Sequence, residues 1–286
     1  MEELYSCQQA MENCSLTGTF AIAHLYKEEK TMDMHIHDCY EIYYSISGGR
    51  QFLIDNKFYT ISPGDVFIIN QYESHKITQA DKMIHERIVL SIHPEYTKRI
   101  SSSQTDLDAC FSDRPGEFCH RISLNKDQQS RFLYYINKIT GADGYGADLV
   151  EQTAFMELML LINTALRTSH QPQGNKSGFG YNYQVDDILA YINRNIASSI
   201  SIEQLAREFF LSESYICRIF KAATGTTIGK YITARRISIA KALLSGGASV
   251  SEAYEKSGFS DYSNFFKAFT KAVGISPKKY AQCSVS

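Results

Sequence analysis

The chain lacks three things whose presence would each have placed it in a well-defined class: a paired cysteine set, a long apolar run and a dominant charge. Its seven cysteines (Cys7, Cys14, Cys39, Cys110, Cys119, Cys217, Cys283) are odd in number and contain no C-x-x-C pair. That argues for a reducing compartment and against a disulfide framework. No stretch approaches the ~18 uninterrupted apolar residues of a membrane span, and the first residues show no basic-then-apolar leader pattern. A soluble, cytoplasmic protein without a membrane partner is expected. The net charge of −2 conceals an asymmetry. From Gln184 onward there are 13 Lys/Arg against 8 Asp/Glu, a net of +5, which leaves 16 against 23, or −7, in the rest of the chain. A basic C-terminal third beside an acidic body fits a nucleic-acid-binding module joined to something else. At 286 residues the chain can form two domains with cores of their own.

What is present is a repeat. Ser201-Ile202-Glu203-Gln204-Leu205-Ala206 is echoed 48 residues later by Ser249-Val250-Ser251-Glu252-Ala253-Tyr254, and Ile216, Phe220 and Gly225 recur 49 residues on as Phe265, Phe269 and Gly274. One residue has therefore been inserted into the second copy. Ser201 with Gln204, and Ser249 with Glu252, form capping boxes that start a supporting helix in each copy. Ser212, and either Ser260 or Asp261, cap the helix that follows, and Gly225 and Gly274 end it as left-handed residues. Each copy reads as a helix-turn-helix unit, and Thr227 to Ser245 reads as a connecting helix of about 27 Å. Two such units at fixed separation suit two successive major-groove segments of duplex DNA. In the first unit Tyr215 or Ile216, Ile219 and Phe220 point inward, while Glu213, Ser214, Cys217, Arg218 and Lys221 face out. In the second, Phe265 and Phe269 are core, and Tyr262, Ser263, Phe266 and Lys267 face out. The Arg218 guanidinium has the donor fork that suits guanine O6 and N7. Lys221 is a candidate phosphate contact, and Arg236 is expected in an intramolecular ion pair or against its helix.

The N-terminal part reads differently. Tyr40–Ile46, Arg50–Ile54, Lys57–Ile61 and Asp65–Ile69 are short, β-branched or aromatic runs separated by Ser47-Gly48-Gly49, Asp55-Asn56 and Pro63-Gly64. This spacing predicts an antiparallel sandwich or barrel between about Thr19 and Ile92. Helices are expected over Asp127–Thr140 and Asp148–Thr168. The second is apolar over so wide an arc that it needs both the barrel and another partner, either elsewhere in the monomer or in a homodimer. Residues 170–183 read as a polar linker between an N-terminal domain (1–169) and a C-terminal one (184–286).

Gly258-Phe259-Ser260-Asp261-Tyr262-Ser263-Asn264-Phe265, the stretch from Gly274 through Ser276-Pro277 to Tyr280, and the spacing of Tyr231, Arg236, Ala240 and Leu244 resemble the AraC/XylS family of transcription regulators. The resemblance covers about a hundred residues. It implies base-facing positions at Ser214, Cys217 and Arg218 in the first unit and at Tyr262, Ser263, Phe266 and Lys267 in the second. It implies promoter DNA and a small-molecule effector as partners, with RNA polymerase at the promoter. Two departures stand out. Ala253-Tyr254 replaces the family's usual Ile-Ala, which is expected to rotate the second supporting helix or weaken that unit's grip. Tyr280-Ala281 replaces its usual Tyr-Arg, removing one cation.

His35-Ile-His37, Glu41 and Gly48, followed by Gly64 and His75, resemble the two motifs of the cupin superfamily, with Asn70, Tyr72 and Gln79 as departures in the second. The resemblance implies a cupin-like, jelly-roll barrel in which His35, His37, Glu41 and His75 meet. They can bind an effector, one another, or a divalent metal. Cys39 is expected to alternate away from the histidines, with no second cysteine to support a thiol sensor. Tyr43, Phe52 and Tyr59 are either core or the walls of a sugar pocket. Three functions are thus in play. The first is a non-enzymatic regulator that senses a small molecule, the second a metal- or redox-sensing regulator, and the third a cupin metalloenzyme with an incidental helical domain.

Overall fold

The computed structural model describes residues 6–28, 34–49, 51–55, 57–79, 84–114, 118–168 and 183–284. Within them the N-terminal half builds two antiparallel sheets. Five strands lie in the order β1 (Phe20–Glu28), β7 (Ile84–Ile92), β2 (Tyr40–Ser45), β5 (Asp65–Ile69), β8 (Arg121–Ser123); three more lie in the order β4 (Lys57–Thr60), β3 (Gln51–Ile54), β6 (His75–Gln79). Side chains alternate across each strand, and the larger sheet is buried on both faces. One face, with Ile22, Ile42, Tyr44, Ile68 and Leu90, packs under α4 (Lys126–Thr140) and α5 (Ala147–Thr168). The other, with Ala23, Tyr43, Phe67 and Val89, meets Phe52, Ile54, Tyr59 and Ile77 of the smaller sheet. Tyr43, Phe52 and Tyr59 are packed around Phe67, with ring centroids 5.1–5.9 Å apart. They are core, which corrects the sugar-pocket alternative.

The sequence pattern did not separate out α1 (Cys7–Thr17), α2 (Pro94–Ile100) or α3 (Ala109–Ser112). Among the described residues α5 is the one helix long and apolar enough to cross a membrane. Here it is a core helix: Phe155, Leu158, Met159, Leu161 and Ile162 are buried in the cluster shared with the sheet. Leu149, Val150 and Leu160 remain exposed on its other side.

The C-terminal part is all helix: α6 (Tyr183–Arg194), α7 (Ile202–Glu208), α8 (Glu213–Thr224), α9 (Ile228–Ser245), α10 (Val250–Lys256), α11 (Tyr262–Val273) and α12 (Pro277–Ser284). The expected linker lies outside the described residues up to 182, and Tyr183 already belongs to α6. Both capping boxes form, at Ser201/Gln204 and Ser249/Glu252. Asp261, rather than Ser260, caps α11 through the Asn264 amide. Gly225 and Gly274 are left-handed, at φ 66° and 84°.

The inserted residue of the second copy sits in its turn. The supporting helices α7 and α10 are 48 residues apart, whereas the caps Ser212 and Asp261 are 49 apart. In the shorter turn Phe210 holds φ 54°, and 48 residues on Gly258 holds φ 87°. The glycine is required for space as well as conformation, because a Cβ there would come within 2.7 Å of Ala197 Cα and still closer to the Ile196 carbonyl oxygen. Gly258→Ala should therefore destabilise the helical part by more than the ~1–2 kcal/mol of a left-handed alanine alone, read as a lowered midpoint in urea unfolding. An unchanged midpoint would show that the α6–α7 loop can move aside.

Candidate functional site

The chemistry-bearing residues fall into two groups, one on the helical units and one inside the barrel. On α8, Ile216 and Phe220 anchor the helix in the first helical core. This turns Ser214, Arg218 and Lys221 to solvent. Cys217 does not join them. It is half-buried and packs against that core, because it lies one residue from Ile216 at the margin of the apolar stripe. The Arg218 guanidinium rests 5.3 Å from the Tyr215 ring, a stacking that pre-orients the fork. On α11, Phe265 and Phe269 are buried while Tyr262, Ser263, Phe266 and Lys267 are exposed.

The Ala253-Tyr254 departure is absorbed in place. Ala253 is fully buried, and the Tyr254 ring fills the neighbouring space at 5.6 Å from Tyr262 and 5.8 Å from Phe265. Arg236 makes neither an ion pair among the described residues nor an outward contact. It donates to the Ile196 and Ser198 carbonyls at 3.1 and 2.7 Å, tying α9 to the α6–α7 loop.

Inside the barrel His35, His37, Glu41 and His75 converge, one ligand atom from each lying within 4.8 Å of all the others. Glu41 stands on β2, His75 opens β6, and His35 pairs with His75 through two backbone hydrogen bonds of 3.1 and 3.3 Å. His37, Glu41 and His75 are buried. Each of the last two histidines is oriented by a backbone carbonyl. His37 Nδ1 donates to Cys39 O and His75 Nδ1 donates to Glu73 O, both at 2.9 Å. Their Nε2 atoms then face the same Glu41 oxygen, at 3.1 and 3.7 Å. Burial alone would push the Glu41 carboxyl up, but the charges and hydrogen bonds of His75 and His37 outweigh it and hold the group well below the usual carboxylate range. Burial likewise opposes a charge on His37, which Cys39 and Glu41 nevertheless raise to about 9. Cys39 does not alternate away. Residues 37–39 are not a regular strand, and its Sγ lies 3.5 Å from His37 Nδ1. Cys14 of α1 hydrogen-bonds the Cys39 thiol, which with burial pushes it up well above the ordinary range; a second cysteine is present after all. A cleft of about 530 Å³, lined by Met11, Leu16, Asp38 and Lys241 among others, opens on His37 and Cys39.

A second polar cluster lies beside the first and carries no sequence signal. Glu73 pairs with Arg114, lies 3.3 Å from His120 Nε2 and accepts from the Asn70 amide at 2.7 Å, while Tyr59 OH and His120 Nδ1 are 2.8 Å apart. Burial opposes the Glu73 charge, but His120 and Arg114 bring its carboxyl down to about 2. Arg114 and His120 come from an irregular segment some forty residues downstream, so no local spacing could have announced them.

The two groups are joined along α9. Asp55 pairs with Arg235, and its carbonyl accepts from Tyr231 OH at 2.9 Å. Asp38 pairs with the buried Lys241. The Tyr72 carbonyl accepts from Ser238, and the Tyr72 hydroxyl meets Ser245 Oγ at 2.7 Å and Tyr280 OH at 3.2 Å. Leu53 is buried in the first helical core, with Met34 and Phe58 against it, and Ile36 packs on the second.

Two family models match this chain: the AraC-like ligand binding domain over residues 18–159 and a helix-turn-helix domain over residues 205–282. The Msm operon regulatory protein of Streptococcus mutans is 26% identical over 250 residues, 86% of this chain and 84% of its own length. The HTH-type transcriptional activator RhaR of Shigella dysenteriae is 22% identical over 262 residues, 91% and 90% of the two chains. Among solved structures, ToxT from Vibrio cholerae is 13% identical over 92% of this chain and 98% of its own, with a TM-score of 0.38. With a ligand-binding barrel followed by two capped helix-turn-helix units on one connecting helix, the chain belongs to the AraC family of transcription regulators.

Proposed function

We propose that this regulator reads promoter DNA with Ser214, Arg218 and Lys221 of α8 and with Tyr262, Ser263, Phe266 and Lys267 of α11, Cys217 lying at the edge of the first surface. The observation that carries this reading is the contrast within each recognition helix: one face is fully buried against α9, and the opposite face, polar or aromatic, is left to solvent. Exposed aromatics on a recognition helix can meet thymine methyls and sugars, and the Arg218 fork suits a guanine edge. The barrel is the sensor, with His35, His37, Glu41 and His75 as its effector site and the contacts along α9 as the route by which an effector alters DNA engagement. Such a route requires the effector to favour one interdomain arrangement over another. The protein acts without catalysis, in the cytoplasm, with RNA polymerase as its partner at the promoter. The exposed Leu149, Val150 and Leu160 of α5 support a homodimer through that helix.

Arg218→Ala should cost about 1–3 kcal/mol on a duplex selected by the chain and relax the preference at one base pair. An equal loss on random DNA would remove base reading from that residue. Lys221→Ala should weaken all duplexes alike and lower the slope of log affinity against log salt by about 1; an unchanged slope would place Lys221 off the phosphates. Leu160→Lys should shift sedimentation from dimer to monomer with the fold intact. A sedimentation coefficient that does not move would end the case for α5 as the interface. Leu161, which is buried, would unfold the barrel instead and is the wrong position for that test.

A further inference from the structure

We propose that Lys76 of β6 is a positioning residue for the first recognition helix. Its ammonium caps the C-terminal end of α8 from the barrel side and so sets how α8 presents Ser214, Arg218 and Lys221. The cap stands on the contacts below; its bearing on DNA rests on the regulator reading above.

The smaller sheet is used on both faces. Its inner face, with Phe52, Ile54, Tyr59 and Ile77, closes the barrel. Side chains alternate along a strand, so the residues between these face the other way. Cross-strand register sets Phe58, Leu53 and Lys76 in one row across β4, β3 and β6. Leu53 is fully buried in the first helical core, and Phe58 packs against that core. Lys76, the third of the row, is 1% exposed. Its Nζ lies 2.5 Å from where a Cβ on Gly225 would stand, and its Cε 3.3 Å. Gly225 is the left-handed residue that ends α8, with its amide donating to the Lys221 carbonyl at 2.8 Å. The barrel thus delivers a buried ammonium to the stop of a recognition helix.

The chemistry of that place suits a cation. The last four carbonyls of an α-helix have no partner inside the helix, and the negative end of its dipole gathers there. The Gly225 amide takes one of the four. A buried ammonium needs acceptors around it, and this helix end offers them. The basic residue in the last turn of α8 itself is Lys221, which is turned to solvent. The second unit is built otherwise: a Cβ on Gly274, at the equivalent stop of α11, would meet no atom within 4 Å. Two glycine stops of the same conformation therefore have unlike neighbours, one capped by the barrel and one open. Next to Lys76 on the strand, His75 belongs to the histidine cluster, so β6 borders the sensor site on one face and the reading head on the other.

Lys76→Met in the full chain keeps most of the buried stem and removes the charge. Hydrogen exchange at the α8 amides should then speed up by about tenfold, within the range of a cation at a partly buried helix end, while exchange in α11 stays as in the wild type. On a duplex selected by the wild type, base preference should flatten at the positions that Arg218→Ala also affects and persist at those read by α11. Exchange that rises equally in α8 and α11, or in neither, would overturn the cap. Unaltered preference at the Arg218-dependent positions would overturn the positioning role. If Lys76→Met does not fold, Gly225→Ala reaches the same contact from the helix side, and Gly274→Ala controls for the strain of a left-handed alanine. Gly225→Ala should speed exchange in α8 more than Gly274→Ala speeds it in α11; equal effects would overturn the cap. Failure of the wild type to bind any duplex would count against the regulator reading alone, since exchange involves no DNA.

Discussion

The arrangement of the whole molecule depends on α9 being packed on several sides at once, with Gly229, Lys230, Thr233 and Ala242 left to solvent. Ile228, Tyr231 and Ile232 of its first half belong to the first helical core, while Ile237, Ala240 and Leu244 of its second half belong to the other. A further side carries Arg235, Ser238 and Lys241, and a buried serine and lysine need partners. The barrel supplies them through Asp55, the Tyr72 carbonyl and Asp38, with the Tyr72 and Tyr280 rings 5.4 and 5.6 Å from the Lys241 ammonium. A helix with a single apolar stripe would have served one neighbour. This one serves three: the two helical cores and the barrel edge that carries the histidines.

Much of this was legible in the chain because the signals are local. Capping boxes, glycine stops and the 48- and 49-residue echoes report backbone hydrogen bonds made within four residues, so the helical half could be read almost to its ends. The short strands β2 to β5 were equally plain, each bounded by turn residues. Other features escaped for a common reason. β8 is three residues long, α1 has a weakly amphipathic sequence, and Arg114, His120 and Cys14 reach their partners across tens of residues. The misplaced Cys39 shows the same limit from the other direction: strict alternation holds only on a regular strand, and the chain leaves that geometry between His37 and Tyr40. The H-x-H spacing pointed to residues that do lie together, yet it said nothing of the carbonyls that orient the His37 and His75 rings.

The barrel holds two compact polar clusters beside its aromatic and aliphatic core, with Asp65, His85 and Arg87 among the buried polar groups outside them. Glu73 with Arg114 and His120 is satisfied by charges already present, and it holds the 70–73 turn to the segment after α3. Among the described residues, the neighbouring Glu41 carboxylate is faced by the imidazoles of His37 and His75. The two buried carboxylates thus have different partners, Glu73 an arginine and an imidazole and Glu41 two imidazoles. Buried polar networks whose members are paired stiffen the scaffold that carries them.

The extra residue in the second turn adds to a polarity that the tandem order of the two units already gives the molecule. Phe210 and Gly258 occupy equivalent corners, but five residues rather than four separate α10 from α11, so the two recognition helices leave their supports by different paths. A tandem pair of unlike units has no two-fold axis, unlike a repressor dimer on a palindrome. The sequence it recognises therefore has a beginning and an end, and the same letters reversed on the chromosome would present the protein's barrel to the opposite flank. The tandem order of unlike units in one chain gives this sense of direction along the double helix, and the inserted amino acid sharpens the difference between the two ends.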